Sequence, residues 1–341
     1  MQKFIKKENI KELTQNLLKE NICYGSLIFK DQLVYKQLFT SDDLKINNDC
    51  TVKPVNSIKE VFFPRTEVIV NYEVKEKQVV PKSPDIKINP TVVIGVKPCD
   101  AHSLTILDHV FSWDYKDSTF LERRDSTTVI SIACKNMEEP CFCTWVDGMP
   151  DSNKGTDILL TETTDEKGYI ATTHSQKGES LLNKYSNLFE EVGSYQPKKT
   201  EIKVNKEEIA DVKRWLIKNF EDDIWKTISK KCIGCAACTF TCPTCHCFDI
   251  VDETSMLHGN RRKNWDSCMF PLFTKMPVHQ PRPDQYRRWR QRLNHKFNYY
   301  PERFGVISCV GCGRCVTVCP VNQDIREMLL EIKELAKSEG K

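Results

Sequence analysis

One cysteine pattern, C-x2-C-x2-C-x3-C followed by proline, occurs twice and constrains this chain more than any other feature. Its first copy is Cys232, Cys235, Cys238 and Cys242 before Pro243, and its second is Cys309, Cys312, Cys315 and Cys319 before Pro320. Three thiolates two residues apart can wrap a compact loop around one iron–sulfur cubane. The fourth, beside proline, typically ligates the other cluster. The spacing therefore predicts a first [4Fe–4S] cluster on Cys232, Cys235, Cys238 and Cys319, and a second on Cys309, Cys312, Cys315 and Cys242. Gly234, Gly311 and Gly313 are expected to let the backbone pass close to a cluster where a Cβ would obstruct it. Zinc knuckles are the alternative, but zinc sites usually show two CxxC pairs rather than three thiols followed by Cys-Pro.

A length of 341 residues allows about two domains. Seventeen cysteines are unusual at that length. The N-terminus, MQKFIKKENIKELTQN, is charged and lacks the apolar segment of a secretory signal. The best apolar run, TVVIGV at 91–96, is strand-sized and far short of a membrane span. Reduced thiols and oxygen-sensitive clusters fit a cytoplasmic, anaerobic setting better than a disulfide scaffold.

Net charge is only +3, yet residues 261–303 carry eleven Lys or Arg against three acids. In YRRWRQRLNHKF, Arg287, Arg288, Arg290 and Arg292 interleave with Tyr286, Trp289 and Phe297. Basic and aromatic residues together can bind nucleic acid. The favoured reading is that they offset the negative charge of thiolate-ligated clusters or face an acidic partner protein.

Periodicity predicts a helix over the first 20 residues and short strands at 22–39 and 58–80. A buried strand at 91–96 ends at KPCD, a helix follows at 101–111, and a second strand at 127–134 ends at Cys134. Two strand ends that each deliver a cysteine suggest a site at one edge of an α/β sheet. Residues 148–200 read as hairpins and loops. The division expected is an N-terminal α/β domain at 1–200 and an α-helical ferredoxin-type domain at 201–341 binding two [4Fe–4S] clusters, an α+β chain as a whole. A helix is expected at 207–222, then a mostly helical two-cluster domain with an inserted segment between Cys242 and Cys309, and a final helix from Asp324 with Glu327 closing a capping box. With no GxGxxG or Walker A sequence, flavin and nucleotide binding have no warrant on this chain.

Nine further cysteines lie outside the two motifs. Cys99, Cys134, Cys141 and Cys143 make a complete ligand set in the N-terminal domain, and a third cluster or a zinc site is expected there. Cys245, Cys247 and Cys268 are one ligand short unless His246, a partner residue or another cysteine joins. Cys23 and Cys50 read as small buried hydrophobes. His102 and His246 could be ligands or proton carriers, and read better as ordinary polar residues. No nucleophile–base pair of the hydrolytic type stands out, so no catalytic residue is assigned.

From about residue 90 onward the chain resembles two related electron-transfer proteins: the beta subunit of cytoplasmic sulfhydrogenases and the iron–sulfur subunit of anaerobic sulfite reductase. The residues that carry the resemblance are GVKPCDAHSLTILD, SIACKNMEEPCFC, CIGCAACTFTCPTCHCFD, RRKNWDSC and FGVISCVGCGRCVTVCP. It implies an electron-transfer subunit without substrate chemistry of its own. A ferredoxin reductase-type subunit that binds FAD and NAD(P) would stand on one side. A terminal catalytic subunit of sulfite reductase, hydrogenase or heterodisulfide reductase type would stand on the other. Two rival expectations are a self-sufficient sulfur-compound reductase and an iron–sulfur nucleic-acid-binding or redox-sensing protein.

Overall fold

The computed structural model describes residues 1–46, 53–200 and 209–339. Cys50 and the chain at 201–208 lie outside the described residues. Eleven strands run through them: β1 (Gln2–Lys6), β2 (Ile22–Phe29), β3 (Gln32–Gln37), β4 (Thr66–Lys75), β5 (Gln78–Lys82), β6 (Thr91–Val96), β7 (Thr127–Ile132), β8 (Ile158–Glu162), β9 (Gly168–Thr173), β10 (Phe248–Ser255) and β11 (His258–Trp265). No helix among the described residues is long and apolar enough to cross a membrane.

The continuous apolar run TVVIGV behaves as such runs do in parallel sheets, buried on both faces. It is β6, and it sits inside a seven-stranded sheet of order β1-β9-β8-β7-β6-β2-β3. Strands β2, β6, β7 and β8 run parallel, while β1, β9 and β3 close the edges antiparallel. The carboxyl ends of β6 and β7 lead directly to Cys99 and Cys134. The helix after β6 starts at Pro98, not 101, and runs to Phe111. Proline at its first position is compatible with helix entry because that N–H has no partner within the helix.

Three local expectations need correction. The first 20 residues are not one helix: Phe4 and Ile5 are buried as part of β1, which pairs with β9, and the helix covers only Asn9–Leu18. Residues Lys59–Phe62 form a helical turn before β4. In the polar 148–200 stretch the expected hairpin is present as β8–β9 of the main sheet, but a helix at Gln176–Lys184, capped by Ser175, follows where only loops were expected.

A second sheet, of order β10-β11-β4-β5, joins residues from both sides of position 200. The segment inserted between Cys242 and Cys309 opens with the β10–β11 hairpin. It ends in a helix at Gln285–Asn294, a π-helical turn at His295–Tyr299 and a short helix at Tyr300–Phe304. Each cysteine motif leads into one helical turn, Ala237–Phe240 or Arg314–Thr317. The helix expected at 207–222 is described from Ala210 to Lys218. It packs with the C-terminal helix Ile325–Glu339 over a core that includes Trp215, Trp225, Trp289 and Leu329. Asp324 accepts the Arg326 amide at 2.7 Å and pairs with its guanidinium, so the cap is made through Arg326.

Candidate iron–sulfur centre

The two motifs have the same backbone. In each, the amide two residues after the first cysteine points back at its sulfur: Gly234 N to Cys232 Sγ at 3.4 Å, and Gly311 N to Cys309 Sγ at 3.5 Å. In each, left-handed residues flank the second cysteine, Gly234 (φ 71°) and Ala236 (φ 62°) in one, Gly311 (φ 60°) and Gly313 (φ 75°) in the other. Positive φ is what glycine adopts at no cost and alanine only with strain. Further donors approach the sulfurs of the first set: Gln285 Nε2 lies 3.2 Å from Cys232 Sγ, and Gln323 N 3.2 Å from Cys319 Sγ.

Two of the glycines are required by protein packing as well. A Cβ on Gly311 would lie 2.4 Å from Cys143 N, and one on Gly313 would lie 2.5 Å from Pro140 O. Both glycines admit the N-terminal CFC loop, and Phe142 N donates to Gly311 O at 2.8 Å. The second motif is thus docked onto the α/β part of the chain. Lys53 Nζ reinforces the contact, donating to Cys312 O at 2.8 Å while pairing with Glu138. Arg314 and Asp100, both essentially without solvent exposure, form a bidentate pair at 2.8 and 2.7 Å.

The sulfurs of Cys242, Cys309 and Cys315 share one basic neighbourhood. Lys296 Nζ donates to Cys242 Sγ at 3.4 Å, to Thr244 Oγ1 at 2.9 Å and to Ser308 O at 2.8 Å. Burial alone would strip its proton, but the Cys242 and Cys245 sulfurs hold it above the ordinary lysine range. Arg292 donates to Cys245 Sγ at 3.4 Å and Cys238 O at 3.2 Å. The Cys242 thiol is held well below the usual range, first by its hydrogen bond with Cys245 and then, against the cost of burial, by Lys296 and Arg292. Cys309, in contrast, is pushed up to about 11 by burial.

Residue types and surroundings fit iron–sulfur groups. Arg292 and Lys296 are 2% and 3% exposed, yet among the described residues neither pairs with a carboxylate, and Arg292 Nε has no hydrogen-bond partner. Buried cations of that kind need an anion close by, and thiolate-bound clusters supply one. Part of the basic stretch accordingly turns inward. Arg288 and Arg290 are also buried, on the carbonyls of Pro283 and Phe220, and are not presented to a nucleic-acid backbone.

Cys99, Cys134, Cys141 and Cys143 all line one cavity, with Lys53, Lys97, Met137 and Met149 around them. Gly311 and Cys312 of the second motif complete its wall. Cys23 is buried in the sheet core, where burial raises its pKa to about 11. His102 and His246 are each pushed down to about 4 by burial. His246 Nδ1 lies 3.0 Å from Thr244 O, and its ring packs on His295 and Tyr300. Sequence reasoning missed Lys53, Lys59 and the Asp100–Arg314 pair. Asp100 in KPCD was visible as a charged residue in an apolar run, but its partner 214 positions away was not.

Residues 231–323 match the family model described as a 4Fe-4S dicluster domain. The chain is also similar to sulfhydrogenase 2 subunit beta of Pyrococcus furiosus, with 29% identity over 333 residues, 94% of this chain and 95% of that protein. The resemblance to sulfhydrogenase beta subunits holds. It extends across the N-terminal 90 residues, where the motifs alone gave little. No solved structure matches the chain.

Proposed function

We propose that this chain is the iron–sulfur electron-transfer subunit of a cytoplasmic oxidoreductase complex. It would stand between a subunit that binds FAD and NAD(P) and a terminal catalytic subunit of hydrogenase, sulfite reductase or heterodisulfide reductase type. The C-terminal part is an α-helical ferredoxin module in this reading, with the β10–β11 hairpin inserted. Cys232, Cys235, Cys238 and Cys319 would hold the first [4Fe–4S] cluster, and Cys309, Cys312, Cys315 and Cys242 the second. Cys99, Cys134, Cys141 and Cys143 would hold a third. Such clusters store and pass single electrons at potentials set by their surroundings.

The observation that carries the proposal is the shared wall between the N-terminal cysteine cavity and the second motif, made by Gly311 and Cys312. It makes the thiol sets neighbours in series rather than isolated sites. The remaining residues act as a scaffold for charge. Lys296 and Arg292 offset the sulfurs between the two motifs, Lys53 lies 3.7 Å from Cys141 Sγ, and the Gly234 and Gly311 amides donate to sulfur. Backbone amides and cations directed at sulfur raise a reduction potential by favouring the extra negative charge.

The test is activity of the chain purified anaerobically with its metal. It should take up electrons from a chemical reductant yet show negligible turnover with NAD(P)H and sulfite or polysulfide. Robust turnover by the isolated chain would assign it the substrate chemistry and overturn the relay reading.

A further inference from the structure

Three thiols that the relay does not use lie together at the mouth of the inserted segment. Cys245 and Cys247 follow Cys242, and Cys268 returns just after β11. Asp266 N donates to Cys247 O at 3.0 Å, which folds the exit of β11 back onto the 245–247 turn. The Ser267 hydroxyl, 2.7 Å from Thr239 Oγ1, pins this turn to the helical turn of the first motif. Cys268 is buried in the apolar core against which Cys247 packs, and Cys245 stands two residues before Cys247.

Two buried cations face this group. Lys59, 2% exposed, donates from Nζ to Cys245 O at 2.8 Å and lies 4.1 Å over the Trp265 ring. Arg292 reaches Cys245 Sγ, with its Nε left unpartnered. Among the described residues neither cation pairs with a carboxylate. Arg292 also faces the sulfurs of the first motif, whereas Lys59 is buried with its pKa drawn below the ordinary lysine range by that burial, so an anion at these thiols would be needed to hold its charge. Lys59 is informative here because it comes from the N-terminal part and touches none of the eight ferredoxin-motif cysteines by hydrogen bond.

We propose that Cys245, Cys247 and Cys268 bind an additional iron–sulfur cluster through three thiolates, leaving one iron without a protein sulfur. A cubane spreads its ligands more widely than a single zinc ion with bonds of about 2.3 Å to sulfur. His246, the nearest alternative ligand, is committed to Thr244 O and to the His295 and Tyr300 rings. Cys245 and Cys247 are only partly buried, so the fourth iron is open to a small anionic ligand such as a thiolate. This goes beyond the relay reading, since none of the three cysteines belongs to it.

The experiment compares the anaerobically purified, metal-replete full chain with its Cys247→Ala/Cys268→Ala variant. The variant should contain about four fewer iron atoms and four fewer sulfides, with the electron paramagnetic resonance of the two ferredoxin-motif clusters retained. In the unmodified chain, iodoacetamide should leave Cys245, Cys247 and Cys268 unlabelled until iron is chelated, which peptide mass mapping reads without any variant. Addition of 2-mercaptoethanol should shift a signal that the variant lacks. Unchanged iron in the variant, zinc lost in place of iron, or labelling of Cys247 and Cys268 in the iron-replete chain would overturn the proposal. None of these outcomes would disturb protection of the eight ferredoxin-motif cysteines, so the relay reading fails or stands separately.

Discussion

Replacing Arg314 by methionine should loosen the contact between the second motif and the α/β part of the chain. Arg314 donates from both Nη atoms to Asp100 and from Nε to Pro54 O at 2.8 Å, and its side chain is 1% exposed. Without it, the Asp100 carboxylate stays fully buried, with the Tyr35 hydroxyl at 3.2 Å as its remaining side-chain donor. At an effective dielectric constant of about 20, charges about 4 Å apart interact by roughly 4 kcal/mol. That agrees with the about 3–5 kcal/mol seen when one partner of a buried pair is removed. The assay is native-state hydrogen exchange at amides 100–103 and 312–317, under conditions where exchange tracks opening. Exchange should speed up by about two to three orders of magnitude in Arg314→Met. Much of the loss should be regained in Arg314→Met/Asp100→Leu, because the pair then leaves no uncompensated charge. A single variant within about 1 kcal/mol of the parent, or a double variant no better than the single, would refute the reasoning.

Cys319→Ser should damage the first cluster and Cys242→Ser the second, read by electron paramagnetic resonance; Cys319→Ser altering only the second would disprove the crossover. Lys296→Met, which removes the cation 3.4 Å from Cys242 Sγ, should lower the potential of the second cluster by on the order of 100 mV in a redox titration, and no shift would mean the charge is screened. Gly311→Ala, with a Cβ 2.4 Å from Cys143 N and φ of 60°, should displace the CFC loop and cost the N-terminal site its iron before the ferredoxin pair; equal loss at all sites would count against that packing.

Much of the candidate site was legible in sequence because its cysteines stand in two local motifs. Cys232 to Cys242 span one loop, and a three-thiol wrap needs no distant partner to be recognised. Cys99 and Cys134 were grouped correctly at one cavity because both follow parallel strands, whose carboxyl ends share a sheet edge. What failed was non-local. The helical spacing of Ile10, Leu13, Leu17 and Leu18 does not reach residues 1–6, where the edge of β9 takes Phe4 and Ile5 as a strand. The β10–β11 hairpin is polar and exposed, so no apolar alternation announced it, and its pairing with β4 is a contact across nearly two hundred residues. The roles of Gly311 and Gly313 likewise depend on a loop about 170 positions earlier, which spacing alone does not reveal.

The central claim is a series of coupled clusters on a chain that does no substrate chemistry. Stepwise reductive titration of the anaerobically purified chain, followed by electron paramagnetic resonance, tests it most directly. The account predicts at least two electrons taken up reversibly per chain, with signals that broaden by spin–spin interaction as neighbouring sites fill. Reversible uptake of fewer than two electrons, or signals that remain independent at full reduction, would contradict it.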